Sequence, residues 1–272
     1  MALVAAASRG LGQKKFDVPQ PPPMHKDALR LGVCSYSLHD FQRNLAISML
    51  KQIGAPYVSV KEFHIPYTVT AEEAAKAVGA FKKAGLTIVS GGTIEMQEDD
   101  PAALRRSFDY AKLCGMPMIV AAPTRKTLDP IEKLIEHYDI KVAIHTHGPE
   151  DENFPNPQSV LKALGNRDPR MGVCMDLGHS MRTGVDVVET VAETGTRLLD
   201  MHIKDLRSAE DKKSQCDVGD GVMPVPRIFK QLLKMNYTGC VNLEYEINSD
   251  NPLPGMLHSM GYMRGVLAGL TA

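Results

Sequence analysis

The chain lacks an excess of charge of either sign, and this excludes several classes of partner. Its 31 lysines and arginines nearly balance 32 acidic residues, for a formal net charge of −1. A basic surplus would be needed to attract DNA, RNA or an anionic membrane surface. Long apolar runs are also lacking, since no stretch approaches the roughly 20 residues that cross a bilayer. We therefore expect a globular protein with no nucleic-acid or membrane partner.

Cysteine is sparse and does not occur in paired motifs. The five cysteines are an odd number and form no CxxC pair, so a disulfide framework is not expected. Cys34, Cys174 and Cys240 lie inside apolar runs, where cysteine usually acts as a small core residue. This usage is typical of a reducing compartment, and a cytoplasmic location is the default expectation.

The first 28 residues lack the periodic pattern of the rest of the chain. Residues 1–8 (MALVAAAS) resemble the end of a signal peptide, but no basic segment precedes them and the apolar run is short. A disordered start and the remnant of an export signal, which would imply a periplasmic protein, both stay open. Residues 18–23 (VPQPPP) cannot join a helix or a sheet ladder. We predict an extended or disordered arm over residues 1–28.

Several catalytic and nucleotide-binding motifs are absent as well. No GxGxxG follows the first apolar run and no Walker sequence occurs, so nucleotide-binding folds have no support. The sequence also lacks GxSxG, HExxH and paired CxxC motifs, which argues against serine hydrolases, zincins and structural zinc sites. A glycosidase would need two nearby carboxylates, and none stand apart from the candidate metal ligands described below.

From Leu29 onward, apolar runs alternate with helical patterns. One helix is predicted to begin after Thr70, with Glu73 completing a capping box. We count eight strand–helix units, whose apolar runs are LRLGVCSYS, YVSVKEF, LTIVSGG, PMIVAAP, KVAIHTH, MGVCMDLGHS, RLLDMHIKD and GCVNLEYE. Such alternation implies a parallel sheet, and eight units in 272 residues fit a closed barrel. We predict an α/β protein with a single (β/α)8 TIM barrel over residues 29–272.

Four polar residues stand at the ends of four predicted strands: His145, Asp176, His202 and Glu244. The carboxyl ends of barrel strands ring one mouth, so these side chains are expected to converge. Nitrogen and oxygen ligands of this mixture suit Mn²⁺, Co²⁺, Zn²⁺ or Mg²⁺. A lone histidine in a strand is more often a core residue, and Asp176 could instead cap a helix. The set as a whole predicts one divalent metal ion.

Further polar residues flank these strand ends. His147 shares a strand face with His145, and Lys204 shares one with His202, so both are candidate catalytic groups. Lys61 and His179 are candidate substrate-binding residues, as is Lys204, although Lys204 could instead be a solvated loop lysine and Lys61 could equally well have no role in the site. The glycines of residues 217–221 (DVGDG) suit either a ligand loop or a plain turn.

The segments VCMDLGHSMRTG, DMHIKDL, VGDGVMPVPRIFKQL and GCVNLEYE, in this order, resemble the xylose isomerase-like TIM-barrel superfamily. Proteins labelled sugar phosphate isomerase/epimerase are the most similar members, and the resemblance extends from about Leu29 to the end of the chain. It implies a carbohydrate substrate, one divalent ion on the four strand-end residues, and a substrate contact from His179. The position of His145 is usually acidic in that superfamily, so this chain departs from its pattern there.

The resemblance implies an enzyme that abstracts a proton next to the carbonyl of a keto-sugar. Ketose 3-epimerases use two glutamates as the acid and the base, and the first is replaced here by His145, which puts a symmetrical epimerase mechanism in doubt. An elimination survives this objection, with His147 or Glu244 as the base and histidine or Lys204 as the acid. The HTH sequence at residues 145–147 resembles the HxH of inosose dehydratases. Isomerase/epimerase and lyase stay open, and the mechanism leans to the lyase, as in inosose dehydratase or 3-keto-glycoside lyases.

Two other classes of function remain as alternatives. A non-catalytic carbohydrate-binding barrel would also present polar strand ends, but it would not need all four candidate ligands together. An apurinic endonuclease-like hydrolase would need a basic face, and the charge balance argues against it. Barrels of this superfamily often form homo-oligomers. The apolar residues of the last helix could form such an interface or pack on the barrel.

Overall fold

The computed structural model describes residues 29–272. The predicted arm over residues 1–28 lies outside the described residues. The strands are β1 (Arg30–Cys34), β2 (Tyr57–Val60), β3 (Thr87–Met96), β4 (Met118–Pro123), β5 (Lys141–His145), β6 (Met171–Asp176), β7 (Leu198–Ile203), β8 (Asp205–Leu206), β9 (Gln215–Cys216) and β10 (Cys240–Leu243). The α-helices are α1 (Arg43–Ile53), α2 (Ala71–Lys83), α3 (Pro101–Leu113), α4 (Leu128–Tyr138), α5 (Pro157–Leu164), α6 (Leu177–Met181), α7 (Val187–Thr194), α8 (Val225–Lys234) and α9 (Leu253–Thr271).

Eight parallel strands close into a barrel in the order β1-β10-β7-β6-β5-β4-β3-β2. Helices connect successive strands, so the predicted (β/α)8 TIM barrel is confirmed. The remaining strands, β8 and β9, form a short antiparallel ribbon in the connection after β7. All eight barrel strands point the same way, and their carboxyl ends therefore surround one mouth.

Local sequence signals fix several element ends. Thr70 Oγ1 accepts a hydrogen bond from Glu73 N, and Glu73 Oε2 accepts one from Thr70 N, which forms the predicted capping box of α2. The third strand is longer than its apolar run predicts, because β3 continues beyond a register shift and pairs Glu95 with Ala122 of β4. A 3-10 turn over residues 35–38 follows β1, and the first helix begins at Arg43.

Apolar side chains fill the space between the strands and the surrounding helices. In α8, Val225, Ile228, Phe229 and Leu232 are all buried, which is the spacing of one helix face. In α9, Met256, Met260 and Met263 are fully buried against the rest of the fold, so these methionines pack on the barrel. Among the helices of residues 29–272, none has both the length and the hydropathy of a membrane span.

Candidate functional site

The structure brings the four strand-end residues together at the mouth of the barrel. His145 ends β5, Asp176 ends β6, His202 lies in β7, and Glu244 directly follows β10. The parallel pairing of β6 with β7 places Asp176 beside His202. On the other side of β7, the pairing with β10 places Asn242, two residues before Glu244, beside His202. One nitrogen or oxygen from each of the four side chains lies within 4.8 Å of the others. Their role as metal ligands remains a prediction.

The two imidazoles and two carboxylates are in close contact. His145 Nε2 lies 3.0 Å from His202 Nδ1, which in turn lies 3.2 Å from Glu244 Oε1. His145 Nε2 also lies 3.8 Å from Asp176 Oδ2 and 4.0 Å from Glu244 Oε2. All four side chains are buried, the most exposed residue being Glu244 at 6%. Buried charges of this kind must be paired or must coordinate a metal.

An unsatisfied atom in this cluster indicates that a metal ion fits it. Asp176 Oδ2, which lies 3.8 Å from His145 Nε2, is buried and has no hydrogen-bond partner among residues 29–272. Leaving a buried polar atom unpaired costs about 1–3 kcal/mol, so such atoms call for a ligand. Two imidazoles and two carboxylates are a donor set that Mn²⁺, Co²⁺ and Zn²⁺ accept.

Lys204 supplies the positive charge that faces the two carboxylates. Its Nζ lies 2.9 Å from Glu244 Oε2 and 3.1 Å from Asp176 Oδ2, and it also pairs with Glu246. The contact with Asp176 is an ion pair without hydrogen-bond geometry, which leaves that oxygen without a donor. Burial opposes the charged lysine, but these carboxylates outweigh it and raise the pKa of Lys204 well above its usual value. Lys204 is therefore a buried ammonium ion, not a solvated lysine.

Gly178 makes room for the Lys204 side chain. A Cβ atom at position 178 would lie 2.5 Å from Lys204 Cγ, closer than real contacts allow. The neighbouring Asp176 Oδ1 accepts a hydrogen bond of 2.7 Å from His179 N, so Asp176 also caps α6. The cap and the candidate ligand are thus the same carboxylate, each function using a different oxygen.

His147 and His179 lie at the rim of this cluster. The ring of His147 is centred 4.4 Å from that of His145, and its Nδ1 lies 3.4 Å from Asp151 Oδ2. The His147 side chain keeps 35% of its surface exposed, so it can meet a ligand entering the mouth. The ring of His179 is centred 6.1 Å from those of both His145 and His147. Burial and the charge of Lys204 lower the pKa of His179 to about 3, which keeps its imidazole neutral.

Lys61 lies at a neighbouring part of the mouth. Its Nζ donates a 2.6 Å hydrogen bond to the carbonyl of Thr93 and lies 3.7 Å from Glu62 Oε2. It lines a cavity of about 540 Å³ between the ends of β2 and β3 and helix α3. Tyr36 links this region to the main cluster, because Lys61 Nζ lies 5.9 Å from the centre of its ring and Glu246 and Glu244 are near its hydroxyl. No sequence pattern singles out Tyr36, because an aromatic residue beside a strand is usually a core residue.

The glycines of residues 217–221 are explained by a turn. Asp205 Oδ2 accepts hydrogen bonds from Gly219 N at 3.0 Å and Gly221 N at 3.2 Å. A Cβ atom at position 221 would lie 2.2 Å from Asp205 Oδ1, so this carboxylate fills the space where a side chain would stand. Of the two interpretations of this loop, the structure supports the plain turn.

A second polar layer lies beneath the mouth, inside the barrel. Asp200, two residues before His202 on β7, accepts hydrogen bonds from Asn242 Nδ2 at 2.9 Å and Ser90 Oγ at 3.2 Å. Cys34 and Cys174 lie in the same region, against His202. Of these residues, the sequence predicts only Cys34 and Cys174, as small core residues, and it makes no prediction for Asp200, Asn242 or Ser90.

Comparisons with known proteins agree with this architecture. The family model described as xylose isomerase-like TIM barrel matches residues 47–266. The rhizopine catabolism protein MocC of Rhizobium meliloti is 27% identical over 154 residues, which are 51% of this chain and 46% of that protein. The match thus spans less than half of the curated relative's length.

Solved structures share the fold at low sequence identity. The 3-keto-D-glucoside 4-epimerase YcjR of E. coli superposes with a TM-score of 0.73 at 14% identity, over 87% of this chain and 99% of that one. The probable 3-DHS dehydratase AsbF of Bacillus anthracis superposes with a TM-score of 0.74 at 13% identity, over 87% of this chain and 99% of that one. At these identities the likeness concerns the fold alone.

Proposed function

Because the chain belongs to the xylose isomerase-like TIM-barrel family, we propose that it is a divalent-metal-dependent enzyme that removes a proton next to the carbonyl of a keto-sugar. The observation that carries this proposal is the buried donor set at the strand ends, His145, Asp176, His202 and Glu244, with one donor atom of each within 4.8 Å of the rest. Burying two histidines and two carboxylates together costs free energy that a purely structural core would not need to spend. A catalytic metal ion requires such a set of ligands.

The donor set and Lys204 together provide the electrostatic part of the reaction. These four residues would hold a divalent ion, and that ion would supply Lewis acidity for polarising a substrate carbonyl and acidifying the neighbouring C–H bond. Lys204 lies within 3.1 Å of two of the four side chains, and its ammonium adds a second positive charge where the enolate oxygen develops. Glu246, outside the donor set, holds this ammonium in place.

His147 is the residue best placed to accept the proton. It is partly exposed at the mouth, and Asp151, 3.4 Å from its Nδ1, orients the ring and stabilises the imidazolium that forms. Glu244 is the alternative base, but its carboxylate is already engaged by Lys204 and His202. Neutral His179 is available to bind a substrate hydroxyl, and Lys61 could reach a more distant part of the sugar.

Of the two outcomes of proton abstraction, this arrangement favours β-elimination. An epimerase needs an acid and a base on opposite faces of one carbon, and His145 replaces the carboxylate that would serve on the first face. In an elimination, the C–H proton passes to His147, the electron pair forms the new C=C bond as the C–O bond breaks, and the departing oxygen takes a proton from the ammonium of Lys204, because neutral His179 carries no acidic proton. A keto-sugar or a 3-keto-glycoside carries both the acidic C–H bond and the leaving oxygen that this step requires.

Reaction in deuterated buffer tests this proposal. The metal-loaded protein is incubated with a panel of keto-sugars and 3-keto-glycosides, and products are followed by NMR and mass spectrometry. Loss of water or of the aglycone, with formation of an unsaturated keto-sugar, is the result expected for a lyase. An isomeric product with deuterium at a retained carbon would replace the lyase by an isomerase or epimerase. Binding without deuterium exchange or product would overturn the proposal in favour of a non-catalytic barrel.

Replacement of His147 by alanine should lower turnover by about 10²- to 10⁴-fold, the usual contribution of a general base. Metal content should stay unchanged, because His147 is not one of the four clustered donors. His137→Ala is a matched control, since His137 is exposed on α4. Turnover is measured with the substrate identified above, and metal content by elemental analysis. Equal turnover in both variants would remove His147 from the mechanism and leave Glu244 as the base.

A further inference from the structure

Two thiols lie directly beneath the candidate metal ligands. Cys174 stands two residues before Asp176 on β6, so both side chains point into the barrel, one layer apart. Cys34 ends β1. Both cysteines are at most 2% exposed, and the imidazole of His202 lies against each of them. His202 therefore separates an oxygen-rich layer above from a sulfur-containing layer below.

These side chains form a second set of clustered donors. One donor atom each from His145, Cys174 and His202 lies within 4.8 Å of the other two, and all three residues are buried. Two buried nitrogens of this set, His145 Nδ1 and His202 Nε2, lack a hydrogen-bond partner in the described part of the chain. Unpaired buried nitrogens beside a thiol are groups that a metal ion would satisfy.

We propose that the barrel has a second metal-binding mode, in which a thiophilic ion such as Zn²⁺ or Cd²⁺ is held by His145, His202 and Cys174. Cys34 is the neighbouring thiol that can complete a four-coordinate site. Nitrogen and sulfur donors select such soft or borderline ions. The four strand-end residues His145, Asp176, His202 and Glu244, here called the upper set, include two carboxylates and suit Mn²⁺, Mg²⁺ or Co²⁺. The proposal does not rest on the proposed catalytic activity.

The donor atoms are close enough for small side-chain rotations to bring them onto one ion. Zn–N bonds of about 2.0–2.1 Å and Zn–S bonds of about 2.3 Å place neighbouring donors roughly 3.3–3.6 Å apart in a tetrahedral site. The three donors lie within 4.8 Å of one another, so any adjustment they need is at most about 1.5 Å. Binding also exchanges a proton for the metal, since the Cys174 thiol gives up its S–H proton to solvent and forms the S–metal bond.

The two binding modes exclude each other, because both use His145 and His202. A thiophilic ion in the lower mode withdraws both imidazoles from the carboxylates of Asp176 and Glu244. The upper set then keeps two of its four ligands, so its affinity for Mn²⁺ falls. Occupation of the lower mode would thus displace the ion of the upper mode and inhibit the enzyme.

Cadmium titration of the metal-free protein tests the lower mode. The expected result is an ultraviolet thiolate-to-cadmium charge-transfer band that saturates at one Cd²⁺ per chain. The band should persist in Cys114→Ser, a control on a buried cysteine at the end of α3, and disappear in Cys174→Ser. Absence of the band in the unaltered protein, or an unchanged band in Cys174→Ser, would overturn the proposal. ¹¹³Cd NMR of the unaltered protein reports sulfur ligation directly and covers the case in which Cys174→Ser does not fold.

Manganese binding separates this inference from the proposed function. Added Cd²⁺ should release bound Mn²⁺, which is seen as the electron paramagnetic resonance signal of the free ion. In Asp176→Asn the cadmium band should remain while Mn²⁺ binding is lost. If Mn²⁺ binds and no cadmium–thiolate band forms, the lower mode is wrong and the proposed function stands. If the band forms and neither Mn²⁺, Mg²⁺ nor Co²⁺ binds, the lower mode stands and the metal-dependent function fails.

Discussion

Replacing Asp176 by asparagine should weaken binding of Mn²⁺ or Co²⁺ by more than about 100-fold, since loss of an outer-shell partner alone costs 10- to 100-fold. The change removes a fully buried negative charge whose Oδ2 has no hydrogen-bond donor within residues 29–272. It keeps the size of the side chain, and the amide oxygen can still cap His179 N. Metal affinity is measured by isothermal titration calorimetry, and turnover should fall with it.

Glu246→Gln is the matched control for this result. Glu246 is also a carboxylate at the mouth and pairs with Lys204, but it is not among the four clustered donors. Its substitution should change metal affinity by no more than a few-fold. A folded Asp176→Asn protein that binds the ion as tightly as the unaltered protein would show that Asp176 serves only as the helix cap of α6.

The convergence of the four candidate ligands could be predicted from sequence, because the prediction needs only the position of each residue at the end of a barrel strand. Each of His145, Asp176 and His202 comes at the end of an apolar run, and parallel strands bring such ends to one mouth. The register between β6 and β7 then places Asp176 opposite His202 without any further signal. Strand alternation also predicted correctly that Lys204 shares a face with His202.

The charge balance inside the site could not be predicted in the same way. Strand alternation predicts on which face of the sheet a side chain lies, but it does not predict which atoms that side chain contacts. It therefore does not show that Lys204 contacts three carboxylates. Tyr36 and Asp200 were missed because one residue in an apolar run carries no pattern that distinguishes a site from a core. The turn at residues 217–221 depends on Asp205, whose hydrogen bonds span up to 18 positions along the chain.

Replacing Lys204 by methionine should lower the stability of the metal-free protein and raise its affinity for the metal ion. Without metal, the buried carboxylates of Asp176 and Glu244 lose their facing cation, and breaking a buried pair costs about 3–5 kcal/mol of unfolding free energy. At this chain size that corresponds to a fall in Tm on the order of 10 °C. Metal affinity should rise, because Nζ no longer competes for the same two carboxylates, while turnover falls with the loss of the second positive charge.

Thermal unfolding with and without Mn²⁺ measures both effects in one experiment. Since a ligand stabilises the native state by RT ln(1 + [L]/Kd), the metal-induced rise in Tm should be larger in Lys204→Met than in the unaltered protein. Lys61→Met is the matched control, because the Nζ of Lys61 contacts Thr93 O and Glu62 rather than the four donors. That variant should keep the metal-induced rise unchanged. A metal-free Lys204→Met protein of unaltered Tm would show that the two carboxylates share a proton instead of facing a cation, and the upper set would then bind its ion only by releasing that proton.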